Sequence, residues 1–187
     1  STHRTDIGLQ IGFKNSSTFG SSIIPYSSAE RTQWTHFCFS WDGTTSANAF
    51  KIYKNNVATS FTSTVTNGGS AYPFRIGRSY NGTDWFGGSI DQVRIFNSAL
   101  PQSAVTALYN ETTTTATYSY VDYVNANPNS IAYYKMSDAT DQFGNYNGTA
   151  TNVNFNTEGK FGFAGAFNGS SSYIALPDNA FNLTTLT

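Results

Sequence analysis

The stretch GSIDQVRIFNSAL, residues 88–100, decides the fold of this chain. Its apolar residues break the strict alternation expected of a half-buried strand, at Ile90, Val93 and Ile95. The break predicts either a β-bulge or a strand that is buried on both faces. Directly after the stretch, Pro101 suits a first helical turn, and an apolar stripe follows it at helical spacing. The sequence therefore predicts one short helix from Pro101 to Tyr109.

Short apolar stretches separated by turn signals continue on both sides of this string. They predict strands at 7–13, 35–41, 49–53, 57–65, 74–77, 88–96, 131–136, 162–167 and 173–176. The pair Asn55-Asn56 predicts a tight hairpin turn, because Asn tolerates positive φ. The alternation also predicts that Trp34 and Trp41 belong to the core. The pattern as a whole is typical of an all-β, antiparallel β-sandwich with one short helix.

Composition excludes several classes of function. Only 11% of the residues are charged, and the net charge is −1, with acidic and basic residues scattered singly. Without a basic stripe to neutralise phosphates, nucleic-acid binding is disfavoured. No apolar run approaches the length of a membrane span, so membrane insertion is not expected. The single cysteine, Cys38, cannot form an intramolecular disulfide, and we expect a buried, unreactive thiol there.

Two groups of segments resemble parts of one family. The 88–100 string, with its Gly-x-Ile-Asp-x-Val-Arg-Ile pattern and following helix, is the most specific of them. Together with 34–37 and 51–56, it resembles the C-terminal half of a concanavalin A-like jelly roll of the laminin-G/pentraxin type. The N-terminal half of such a domain is similar to a later group of segments, at 131–134, 141–145, 159–162 and 166–170.

The resemblance implies a division of the chain. Residues 1–110 would be the C-terminal part of one laminin-G-like sandwich, 111–126 a linker, and 127–187 the N-terminal part of the next sandwich. A segment of about 60 residues is marginal alone and would leave its inner face wet. We therefore expect 127–187 to dock on 1–110, within one chain or in a neighbouring chain as a domain swap. The Asn-, Thr-, Ser- and Tyr-rich composition of both halves also resembles repeats in structural proteins of tailed marine phages.

Catalysis is not expected. The superfamily includes glucanases, which place two carboxylates across the scissile bond and usually carry a Glu-x-Asp-x-x-Glu strand motif. The glutamates of this chain lie outside such a motif, at Glu30, Glu111 and Glu158. The missing motif therefore points away from an enzyme, and glycoside hydrolysis stays as the third alternative function.

Family members often hold a structural calcium ion at a sandwich edge. Calcium takes six to eight oxygen ligands from carboxylates, amides and carbonyls. The candidate ligands here are Asp91, Asp138, Asp141 and Asn168. The alternative for Asp138 and Asp141 is that they cap or turn the polar loop 138–148.

A loop before the 88–100 string carries a candidate ligand-binding group. An aromatic face beside amide and carboxylate groups is a common way to hold a sugar, and the group comprises Tyr80, Asn81, Asp84 and Trp85. The alternative is that Trp85 and Phe86 begin the strand and pack inward.

These features favour a non-catalytic carbohydrate-binding or adhesion module of a cell-surface or virion protein, outside the cell. The alternative is a passive structural repeat of a phage fibre or surface protein. The expected partners are a glycan, neighbouring repeats or a swapped second copy, and the expected cofactor is at most a structural calcium ion.

Overall fold

The computed structural model describes residues 8–14, 19–25, 27, 29–61, 74–79, 82–111 and 129–177. In these residues all strand pairings are antiparallel, and the one α-helix is α1 (Gln102–Tyr109). The strands are β1 (Gly8–Lys14), β2 (Phe19–Pro25), β3 (Phe37–Trp41), β4 (Phe50–Lys54), β5 (Val57–Phe61), β6 (Arg75–Ile76), β7 (Gly87–Ile90), β8 (Val93–Phe96), β9 (Ser130–Tyr134), β10 (Thr149–Thr151), β11 (Asn154–Glu158), β12 (Phe163–Asn168) and β13 (Tyr173–Ala175). The predicted all-β, antiparallel fold with one short helix is confirmed. Within this part of the chain, no helix has the length and apolarity that a membrane crossing requires.

Contacts divide the chain into two compact units. The first contains the described residues up to 61 and the segment 99–109, and the second contains 74–79, 82–98, 110–111 and 129–177. The predicted boundaries at 110 and 127 stay a prediction, and most of the predicted linker, 112–126, lies outside the described residues.

The first unit contains the sheets β1-β2 and β3-β4-β5. In the second of these, Phe39 is paired with Ile52. The β4–β5 hairpin turns at Asn55 and Asn56, whose φ angles are 48° and 67°. Two successive positive φ angles define the type I′ turn that suits the twist of a hairpin. The predicted turn is therefore confirmed.

Helix α1 packs on this hairpin turn. The Gln102 side-chain amide donates to Oδ1 of Asn56 at 2.8 Å, and the Thr106 hydroxyl donates to the same oxygen at 3.0 Å. Val105, between them on the helix, is fully buried. The predicted helix is thus confirmed, and one turn side chain anchors two of its residues.

The second unit contains the sheets β10-β13-β6, β11-β12-β7 and β8-β9. The predicted strand 88–96 is split in the structure, because β7 pairs with β12 and β8 pairs with β9. Between them Gln92 has a φ of 54°. The irregular apolar spacing therefore marks a change of sheet. The register of β8 with β9 also shifts between Ile95 and Phe96, an irregularity of the kind that the predicted β-bulge produces.

A buried core joins the three sheets of the second unit. Its members are Ile76, Ala132, Tyr134, Met136, Phe167, Ile174 and Leu176. Each of the three sheets contributes at least one residue to this core, and Ile95 of β8 packs against it. This is the arrangement of a sandwich, in which the inner faces of the sheets exclude water together.

Two aromatic residues of the first unit differ in their burial. The prediction that Trp34 belongs to the core is wrong, since 40% of it is exposed. It precedes β3 and lies outside the alternation of that strand. Trp41 is half-buried, and its indole N–H donates to the Thr44 carbonyl at 2.8 Å.

Candidate functional site

The polar loop after β9 is organised by one buried carboxylate. Oδ1 of Asp141 accepts the backbone N–H groups of Tyr133 at 2.9 Å and Phe143 at 3.1 Å. Oδ2 accepts those of Asn145 and Tyr146, both at 3.1 Å. Asp141 is only 1% exposed, so these four donors replace the water that a carboxylate would otherwise need. The side chain fixes the loop against β9.

The other candidate calcium ligands also bond to backbone N–H groups. Asp91 accepts from Phe161 at 2.8 Å, and Asp138 accepts from Thr140 at 2.7 Å. Oδ1 of Asn168 accepts the N–H groups of the next turn, those of Ser170, Ser171 and Ser172. These hydrogen bonds agree with the alternative considered for Asp138 and Asp141, in which the side chains cap or turn the loop.

The acidic side chains of the described residues do not cluster in the way that a site built mainly from carboxylates would need. Calcium requires several converging oxygens, whereas the described residues contain no group of three His, Cys, Asp or Glu that could hold a metal. A bound calcium therefore stays a prediction without a supporting contact.

Within the 88–100 string, Arg94 forms contacts that stabilise the second unit. Its guanidinium forms a two-pronged ion pair with Glu111, at 2.8 and 2.7 Å, and lies 4.7 Å from the ring centroid of Tyr133. The Tyr133 hydroxyl and Arg94 both donate to Oε1 of Gln92. Burial raises the pKa of Tyr133. This network joins β8 to β9 and to the segment after the helix.

The hairpin from Gly77 to Phe86 carries the candidate ligand-binding loop. Phe86 N–H donates to the Gly77 carbonyl at 2.9 Å, and Ser79 N–H donates to the Asp84 carbonyl at 2.9 Å. Between these bonds, Arg78 is paired directly with Trp85. The hairpin therefore places the Arg78 and Trp85 side chains next to each other.

Arg78, Trp85 and Tyr173 form what we call the outer cluster. The guanidinium carbon of Arg78 lies 4.3 Å from the Trp85 ring centroid and 5.2 Å from that of Tyr173. The two rings meet edge to face, with centroids 6.1 Å apart. Both distances from the cation lie within the range of favourable cation–π contact. All three residues are half-buried.

The neighbours of the cluster along the chain face the core. Phe86 packs edge to face on Phe167, and Ile174 is fully buried. Successive strand residues face opposite sides, so Tyr173 lies on the outer side. Gly77, at a φ of 86°, breaks the alternation between Ile76 and Arg78. Each alternative for the loop therefore holds for one residue. Phe86 packs inward, as the core alternative expects, and Trp85 remains on the outer side, as the ligand-binding alternative requires.

The remaining predicted site residues fall near this cluster or outside the described chain. Asp84 is exposed, and its backbone N–H donates to the Ser79 hydroxyl at 3.1 Å. Tyr80 and Asn81 lie outside the described residues.

Two members of the outer cluster were missed from the sequence. The hairpin register around Gly82 could have indicated Arg78, because it sets that residue opposite Trp85. Tyr173 could not have been found in this way. It reaches the cluster only because β13 pairs with β6, which lies about 100 positions earlier in the chain.

The antiparallel sheets and the packed core define the class of this protein, a β-sandwich. The Laminin_G_3 family model, described as concanavalin A-like lectin/glucanases superfamily, matches residues 3–106, more than half of the chain. The chain belongs to this family, and the resemblance stated for the 88–100 string is confirmed. No curated protein and no solved structure matches the chain.

Proposed function

We propose that this chain is a non-catalytic carbohydrate-binding or adhesion module, displayed on the surface of a cell or virion. Family membership supports a lectin-like or adhesive role. The observation that carries the proposal is the position of Trp85 on the outer side of its hairpin, beside the exposed Asp84. An aromatic ring with polar neighbours is a surface on which a sugar ring stacks while its hydroxyls form oriented hydrogen bonds.

The test is a glycan array probed with the purified chain, followed by calorimetry with the best ligand. Trp85→Ala should lower affinity at least tenfold, because it removes the stacking surface. Phe163→Ala is the matched control. Phe163 is an apolar aromatic that is 56% exposed in the same unit, yet it lies outside the outer cluster.

Thermal unfolding of each variant separates loss of binding from loss of fold. A folded Trp85→Ala variant that binds as tightly as the parent chain would remove the site. Absence of binding to every glycan by the parent chain would remove the proposed function. Antibody labelling of intact cells or virions tests the proposed location.

The environment of two of the three glutamates supports a non-catalytic role. Glu30 is ion-paired with Lys54 and Glu111 with Arg94, so both carboxylates have structural partners. Glycosidases instead need two carboxyl groups that face one another across the substrate. A screen on β-glucans should show no hydrolysis above background.

A structural repeat is the second candidate function. It is favoured by the pairing of strands that resemble different halves of the family domain: β12 pairs with β7, and β9 pairs with β8. In an array, each unit would then close on strands from its neighbour. The gene sequence around this segment tests the idea, since flanking copies on both sides are expected and their absence would contradict it.

A further inference from the structure

Arg78 differs from Lys54 and Arg94 in how its charge is balanced. Lys54 and Arg94 are each paired with a glutamate. Arg78 has no ion pair with any described residue. Its Nη2 donates to the Gly82 carbonyl at 3.4 Å, a long bond, and its Nε is buried without an acceptor. The outer cluster thus holds a guanidinium whose charge no described carboxylate balances.

The rings around Arg78 position it without neutralising it. Cation–π contact restrains the plane of the guanidinium, and the edge of that plane carries its N–H donors. A guanidinium fixed in this way has lost much of its freedom before any ligand arrives. Less entropy is therefore lost for each hydrogen bond that a planar, two-oxygen acceptor forms with it. Carboxylates are such acceptors, and they bind arginine through two parallel bonds.

We propose that Arg78 is the anchor for the carboxylate of an acidic sugar, such as a uronic or sialic acid residue in a glycan. The sugar ring would lie against Trp85 or Tyr173. The inference rests on the proposed carbohydrate binding and names its ligand class. It assigns specificity to Arg78, which the sequence analysis did not include among the site residues.

Matched ligand pairs test the carboxylate directly. Calorimetry would compare oligogalacturonate with its fully methyl-esterified form, and sialyllactose with lactose. At least one acidic member should bind about tenfold or more tightly than its neutral partner, as expected for a charge-assisted, two-pronged bond. A glycan that carries a sulfate group in place of the carboxylate should not bind as tightly as the acidic glycan. Equal affinity within both pairs, or a preference for sulfate, would overturn the proposal.

Variants assign the preference to Arg78. Arg78→Gln should abolish the discrimination between acid and ester, and Arg78→Lys should retain only a small, salt-sensitive part of it, because a lysine lacks the fork. Arg31→Gln, which removes an equal charge at an exposed site of the first unit, should leave it unchanged. Discrimination that survives in a folded Arg78→Gln chain would refute the assignment.

The binding results also separate the proposed carbohydrate-binding function from the inference that the sugar is acidic. Binding of neutral glycans that depends on Trp85, with no acidic preference, would leave the proposed function standing and remove this inference. No binding to any sugar, neutral or acidic, would remove both. Thermal unfolding shows whether each variant is folded, and Arg78→Lys preserves the cation between the rings.

Discussion

The carboxylate of Asp141 accepts the backbone N–H of Tyr133 at 2.9 Å, although the two residues lie eight positions apart in the chain. The bond holds the polar loop on β9, which contributes Ala132 and Tyr134 to the core. A loop that resembles part of a family motif is therefore fixed by backbone contacts of one side chain. The same contact makes Asp141 a sensitive point for the stability of the second unit.

Replacement of Asp141 by Asn should destabilise the chain by about 2–3 kcal/mol, since an amide nitrogen would face N–H donors that need an acceptor. Urea unfolding measures the change. Asp138→Asn is the control, because Asp138 is exposed and accepts only one backbone N–H described here. It should change stability by no more than about 0.5 kcal/mol. Similar losses in the two variants would contradict the role given to Asp141.

The ion pair between Arg94 and Glu111 should be costly to break. The two side chains are 7% and 15% exposed, so removal of one partner leaves a mostly buried charge. Arg94→Met or Glu111→Gln alone should each cost about 3–5 kcal/mol. The double variant should cost less than the sum, and a double-mutant cycle in urea measures the coupling. Strict additivity would show that the pair is not coupled.

Two glycines of the second unit should tolerate an added methyl group differently. A Cβ at Gly148 would lie 2.4 Å from Cγ2 of Ile174 and 3.2 Å from the Ala139 carbonyl oxygen. A Cβ at Gly165 would meet the flexible end of Met136 at 2.9 Å. Gly148→Ala should therefore cost about 1–3 kcal/mol, and Gly165→Ala less, because a methionine can adopt another rotamer. Thermal unfolding of both variants measures the two losses of stability. A larger loss for Gly165→Ala than for Gly148→Ala would contradict the prediction.

Much of the first unit was predictable because its signals are local. The β3-β4-β5 sheet shows alternation in sequence, and Asn55-Asn56 supplies the positive φ angles of the turn. The helix was found within one residue of its start. Trp34 was assigned wrongly because it precedes the strand, where alternation no longer predicts burial.

The strands missed in the second unit lack an apolar pattern. Residues Thr149–Thr151 and Asn154–Glu158 are mostly small or polar, and they form strands because β13 and β12 offer them backbone partners. Tertiary pairing of this kind overrides local propensity. The outer cluster has the same origin. Trp85 was identified from its loop, whereas Tyr173 joins it through long-range pairing.

The pH dependence of the first unit should report on Glu30. Its carboxylate bonds to Lys54 at 2.5 Å and accepts the Ser27 N–H at 2.7 Å and its hydroxyl at 2.8 Å. The Lys54 bond, followed by those from Ser27, lowers the pKa of Glu30 from 4.5 to about 2. Because the folded pKa is depressed, this stabilisation is complete well above pH 4.5 and is lost as the pH falls toward 2.

Comparison of the parent chain with Glu30→Gln from pH 2 to 7 measures this contribution. The parent chain should be more stable at neutral pH, and the difference should shrink between about pH 5 and 2. Added salt should reduce it, because the pair is near the surface. A difference that stays constant over this range would show that the charge of Glu30 does not contribute.

Cys38 should react slowly in the folded chain. It is half-buried, not fully buried as expected from the sequence, and burial raises the pKa of its thiol to about 11. Since the thiolate is the nucleophile, only on the order of one molecule in a thousand is reactive at pH 8. Iodoacetamide should therefore modify Cys38 far faster in urea than in buffer, as followed by mass spectrometry. Equal rates in the two conditions would show that the fold does not protect this thiol.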